Sequence, residues 1–188
     1  MNGHSGMSPT TASTTLHGVF IEVLDLGVLI EGPAGIGKSA LALELIDRGH
    51  RLIADDAPEF QCCSPATVVG NCPAILQDFV EVFGLGVLNI PAMFGPDAVK
   101  KSCRLRLIIS LLESKEFSRN EEQPLKSPWE QRKVLGVAIP VLRLPLLPGC
   151  NMAVLIESAV RNHKLHLAGY DAAEVFESRQ RSSMGLKR

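Results

Sequence analysis

A chain of 188 residues that is 46% hydrophobic and 21% charged has the material for one domain with a substantial core. Its formal net charge of −1 argues against a nucleic-acid partner, and no apolar run reaches the roughly 20 residues that a membrane span requires. The N-terminus shows no charged segment followed by an apolar one, and Cys62, Cys63, Cys72, Cys103 and Cys150 form no CxxC pair. A cytoplasmic chain with small buried thiols, without a disulfide framework or zinc site, is therefore expected.

In chain order, residues 1–15 are rich in Ser, Thr and Gly and are expected as a disordered lead-in. His17 precedes a first strand over Gly18–Val23, and Gly27-Val28-Leu29-Ile30 has the continuous apolar character of a strand covered on both faces. Gly32, Pro33, Ala34, Gly35, Ile36, Gly37, Lys38 and Ser39 then satisfy GxxxxGK[ST]. In that loop backbone N–H groups cradle phosphates, Lys38 neutralises β/γ oxygens and Ser39 can ligate magnesium, so ATP and Mg2+ are the expected ligands. A helix follows over Lys38–Arg48, with Leu41, Ala42, Leu45 and Ile46 at helical spacing, and Gly49 stops it. Arg51–Ala54 returns as a strand ending in Asp55 and Asp56. Ligand crevices in open α/β sheets lie at the carboxyl ends of strands, so one of these acids can hold magnesium while the other takes a proton from an attacking hydroxyl.

Beyond that unit, Glu59–Cys62 and Thr67–Val69 suggest short hairpin strands, and the glycines flanking Leu85 are expected to let backbone approach a ligand. Pro91–Lys100 reads as a turn and short helix with Phe94 in the core, and Arg104–Glu113 as a strand in the sheet interior. Residues 114–133 are polar and contain two prolines, which reads as a long loop. Val134–Leu147, interrupted by Pro140 and Pro145, reads as an edge strand or two short strands. Asn151 is a suitable N-cap for a helix over Met152–Leu167 that offers Val154, Ile156, Ala159 and Val160 for burial. Asp171 and Glu174 start a last helix ending near Arg181.

The stretch from Leu16 to Asp56, with His17-Gly18-Val19 leading in and the run from Arg48 to Asp56 leading out, resembles the catalytic domain of HPr kinase/phosphorylase. The likeness continues at the run from Glu81 to Asn89, at Phe94-Gly95, at Pro148-Gly149, at Asn151 and at the run from Gly169 to Ala173, so that it covers residues 16–178. It implies an α/β fold: a P-loop kinase domain of the HPr kinase and phosphoenolpyruvate carboxykinase-like type, with a mixed sheet, flanking helices and two C-terminal helices. The domain is expected over residues 16–181, followed by a tail at 182–188. The separate N-terminal domain of most family members is not expected.

The resemblance also implies roles. His17 becomes a catalytic-site residue that orients phosphate, Glu81 a second magnesium ligand beside Ser39, and Arg119, in Glu116-Phe117-Ser118-Arg119, the active-site arginine, with Arg132 as runner-up. The chain departs from the family pattern at Ala40, where a glutamate is common. It departs again at Phe83, where an arginine precedes GLG, and at Leu147 and Cys150, where arginines are associated with phosphorolysis.

The implied activity is transfer of the ATP γ-phosphoryl group to a serine of the phosphocarrier protein HPr or a similar small carrier, by a homo-oligomer, a hexamer in the family. Catalysis would rest on His17, Lys38, Asp55, Asp56 and Arg119, and the reverse phosphorolysis is in doubt. A small-molecule kinase related to the nucleotide-dependent carboxykinases and a non-catalytic nucleotide sensor are the alternatives.

Overall fold

The computed structural model describes residues 12–64, 66–113 and 129–185. Its centre is a nine-stranded mixed sheet. Strands β1 (Ser13–Thr15), β2 (Val19–Val23) and β3 (Leu26–Glu31) precede helix α1 (Lys38–Asp47). Then come β4 (Arg51–Ala54), β5 (Glu59–Ser64), β6 (Thr67–Asn71) and a separate two-stranded hairpin of β7 (Phe79–Val82) and β8 (Gly86–Asn89). Helix α2 (Ile90–Phe94) leads to β9 (Ser102–Leu112), β10 (Trp129–Val134) and β11 (Val137–Pro145). Helices α3 (Met152–Leu167) and α4 (Ala172–Gly185) close the chain.

The sheet runs β1-β5-β6-β9-β3-β2-β4, with β11 also parallel to the C-terminal half of β9 and β10 antiparallel to β11. Because β2 is antiparallel to both β3 and β4, those two strands point the same way, and β9 is parallel to β3. The chain leaving β3, where the glycine-rich loop begins, and the acids leaving β4 therefore emerge at one end of the sheet. All five residues of β2 are buried, as a strand covered on both faces requires. On one face Val28, Ile30 and Leu107 pack with Leu45 of α1 and Ile156 and Val160 of α3. On the other, Phe20, Leu29, Phe60 and Ile108 form a second cluster with Ile139 and Val141 of β11. Burying side chains of this size contributes about 1.5–3 kcal/mol each.

The helix over 38–47, the strand over 51–54 and the placement of β9 in the interior agree with the sequence reading. Several expectations are corrected. Ser13–Thr15, expected within a disordered lead-in, pairs antiparallel with β5, and the last helix extends to Gly185. Of the stretch expected as a long loop, 114–128 lie outside the described residues and Trp129–Lys133 belong to a strand, while Val137–Pro145 is one strand held on both sides rather than an edge. Pro140 is compatible with this because the ladder to β9 begins only at Val141. Phe94 is 37% exposed rather than core, Val154 faces out, and none of the five free cysteines is fully buried. Gly84 and Gly86 have φ of +86° and +84° with open space around their α-carbons. They turn the β7–β8 hairpin, a position whose left-handed backbone favours glycine. Among the described residues no helix is long and apolar enough to cross a membrane.

Candidate active site

The phosphate loop runs from the end of β3 to Gly37, the N-cap of α1 with φ of +100°, whose carbonyl accepts the first helical hydrogen bond from Leu41. The amides of the first turn thus point at the loop, which is the arrangement that binds phosphate at a helix N-terminus. Lys38 Nζ donates to the carbonyls of Gly32 (2.9 Å) and Pro33 (3.1 Å), so its ammonium lies over the loop. No acidic residue stands in the first turn of α1, as Ala40 implies.

Asp55 and Asp56 diverge, and their surroundings differ. Asp55 is 8% exposed; its carboxylate accepts from Ser39 Oγ at 3.1 and 3.2 Å and from the Glu81 amide at 3.1 Å. Burial pushes its pKa above the ordinary carboxylate value, while the Glu81 amide and the Ser39 hydroxyl pull the other way. Asp56 has a left-handed backbone, φ +70°, and turns its side chain into solvent. His17 Nδ1 lies 3.0 Å from Asp56 Oδ1. The backbone fixes this pair: Leu16 N–H donates to the Pro58 carbonyl and Gly18 N–H to that of Asp56, so His17 is held between two clamps.

An open cavity of about 440 Å3 gathers these groups, lined by His17, the loop, Asp55, Asp56, Glu81 and Phe83. Lys38, Ser39 and the two aspartates come together there as the sequence predicts, with Glu81 at the end of the β7–β8 hairpin. Arg119 lies outside the described residues. Arg132 does not line the cavity; it is bidentate to Glu31, the last residue of β3, at 3.0 and 2.7 Å. Among the described residues no three His, Cys, Asp or Glu side chains gather as a self-contained metal site. The oxygen donors beside the loop are the Ser39 hydroxyl and the carboxylates of Asp55, Asp56 and Glu81, hard oxygens that suit a magnesium ion shared with substrate phosphates.

A supporting group escaped the sequence reading. Glu157, buried on α3, accepts from Arg48 Nε and Nη2 (both 2.8 Å), from Arg161 at 3.4 Å, and lies 3.0 Å from His50 Nε2. It ties α3 to the turn between α1 and β4, and so to the strand that delivers Asp55 and Asp56. The only signal was the Arg48-Gly49-His50 cluster itself, whose partner lies more than a hundred residues away.

A family model described as the HPr Serine kinase C-terminal domain matches residues 9–180. Proteins named HPr kinase/phosphorylase from Xanthomonas campestris pv. campestris (strain B100) and Xanthomonas oryzae pv. oryzae (strain PXO99A) are each 51% identical over 172 residues, covering 88% of this chain and 52% of the relative. The chain thus spans about half the length of the curated relatives it matches. A solved structure, the Hpr(Ser) kinase/phosphatase from Coxiella burnetii, aligns with a TM-score of 0.77 at 37% identity, covering 87% of this chain and 98% of that one.

Proposed function

The chain belongs to the HPr serine kinase C-terminal domain family, and from that premise we propose that it transfers the γ-phosphoryl group of ATP to a serine hydroxyl of HPr or a similar small carrier protein. The observation that carries this reading is the convergence in one cavity of the phosphate loop, the Ser39–Asp55 hydrogen bonds and the His17–Asp56 pair. The loop from Gly32 to Ser39 holds the phosphates through backbone amides, with Lys38 as the loop's cation. Ser39, Asp55 and Glu81 would hold Mg2+, which when bound neutralises the β- and γ-phosphate oxygens.

Asp56 is the general base. It is open to an incoming protein side chain, and His17 orients its carboxylate and adds a donor toward the phosphates. As Asp56 takes the proton, the serine oxygen bonds to the γ-phosphorus and the bond to the β-bridging oxygen breaks, releasing ADP. Arg119 is the proposed stabiliser of charge on the transferring group, because Arg132 is committed to Glu31.

This catalytic unit spans residues 16–181 and works in the cytoplasm as a homo-oligomer. Incubation with γ-labelled ATP, HPr and a panel of small metabolites tests the reading. Label on a serine of HPr is expected; label on a metabolite, or nucleotide binding without turnover, would replace it with one of the two alternatives.

A further inference from the structure

A second cavity, of about 410 Å3, is lined by Arg104–Arg106 of β9, which lie beside the start of β3, the strand end opposite the phosphate loop. Its floor is a defect in β9. Gly27 of β3 is opposite Leu105, but the next residue, Val28, is opposite Leu107, so Arg106 is an extra residue bulged out of the parallel ladder. The bulge is written into the sequence at Gly27: a Cβ there would meet the Arg104 carbonyl oxygen at 2.2 Å. It also reverses the faces, sending Leu105 and Leu107 into different core clusters and leaving Arg104 and Arg106 on the cavity.

Three polar groups line this space with hydrogen-bonding capacity to spare. Arg104 uses Nη2 on the Ala66 carbonyl at 2.7 Å. Among the described residues, half-buried Arg106 makes no hydrogen bond or ion pair. His163 of α3, only 8% exposed, likewise has no hydrogen-bond partner there; its contact is the Trp129 ring, at a centroid distance of 5.4 Å. Burial, and then the Arg106 guanidinium, holds the His163 pKa down, so the ring is a neutral donor and acceptor. The remaining wall is apolar: Val137, Ala138, Ile139 and Pro140 of β11, and Leu167 of α3.

We propose that this cavity binds a small organic acid, its carboxylate held by Arg104 and Arg106 with His163 donating to it, and its aliphatic body against β11 and Leu167. The volume is that of a small-molecule site, and guanidinium groups pair with carboxylates in a planar fork. The apolar wall favours an acid with a hydrocarbon body over a bare inorganic anion. The site is separate from the nucleotide cavity: the two share no lining residue, and Val28, beside the bulge, precedes Gly32 by about 13 Å of strand at the usual rise.

Trp129 is the sole tryptophan of the chain, so its emission reports on the site. Titration of the full chain with sodium hexanoate, against hexanol as a neutral probe with the same body, should give a saturable change with the acid alone. Arg106→Gln should weaken the response about tenfold or more, the usual cost of a lost charged hydrogen bond. Arg104→Gln, at the more exposed position, gives the same test if the bulge variant fails to fold. Lys38→Ala should titrate as wild type. A flat titration, an equal response to hexanol, wild-type behaviour in both folded arginine variants, or loss of the response in Lys38→Ala would overturn the proposal.

Discussion

At the scale of single residues, the two adjacent aspartates are the clearest case of one sequence feature acquiring two chemistries. Asp55 is buried and takes hydrogen bonds from Ser39 and the Glu81 amide, whereas Asp56 is solvent-facing and paired with His17. Asp56→Asn should therefore lower transfer to HPr by on the order of 10²-fold or more while nucleotide–magnesium affinity stays close to wild type, because an amide keeps the shape but cannot take the serine proton. Asp55→Asn should instead weaken magnesium-dependent nucleotide binding, measured by calorimetry at varied magnesium. A mild effect of Asp56→Asn beside a crippled Asp55→Asn would reverse the two roles. Lys38→Ala removes the ammonium that lies over the loop. It should abolish transfer with an unchanged circular dichroism spectrum; wild-type rates in that variant would remove the phosphate-loop assignment.

At the scale of elements, the Glu157 hub decides how firmly β4 and its acids are held. The paired guanidinium of Arg48 drops the Glu157 pKa to about 2, below its ordinary 4.5. A carboxylate with a lowered folded-state pKa stabilises fully above the unfolded value and loses that contribution as pH falls through the folded one. The stability advantage of wild type over Glu157→Gln in urea unfolding should thus be full at pH 7, shrink between pH 4.5 and 2, and vanish below; a pH-independent gap would show that the charge is not what matters. Glu157→Ala should cost about 2–3 kcal/mol at pH 7, less than for a fully enclosed pair because Arg48 is about a third open to solvent. The hub also shows what a sequence withholds. Strand, loop and α1 were legible because apolar period and glycine placement are local signals. Trp129–Val134, with Glu130-Gln131-Arg132-Lys133 at its centre, has no strand-like alternation, and it is a strand because β11 and Glu31 hold it. The positive φ of Asp56 and its pairing with His17 depend likewise on backbone clamps formed after the chain folds back.

At the scale of the whole molecule, the direction of phosphoryl transfer depends on where cations stand around the cavity. In the proposed forward transfer ATP would bring its own magnesium, and its phosphates would be held by the loop and Lys38, which are local to β3 and α1. Phosphorolysis, the reverse activity proposed for relatives of this kind, needs inorganic phosphate captured and aimed at phosphoserine. Guanidinium groups suit that task because they bind phosphate bidentately. Here Phe83, fully exposed at the cavity mouth, and Leu147 and Cys150, exposed in the turn between β11 and α3, are neutral. Arg132, the runner-up for the expected active-site arginine, is spent on Glu31. Each missing charged hydrogen bond is worth roughly 1.5–3 kcal/mol, about tenfold or more in rate or affinity. The chain should therefore run as a kinase far more readily than as a phosphorylase. With serine-phosphorylated HPr and millimolar phosphate, pyrophosphate release should be slower than forward transfer by at least about tenfold for each missing cation. Phe83→Arg should raise the reverse rate more than the forward one, since it places a guanidinium at the mouth where phosphate enters. Reverse turnover equal to the kinase rate in the unmodified chain would show that the incoming phosphate is captured by cations other than those three positions.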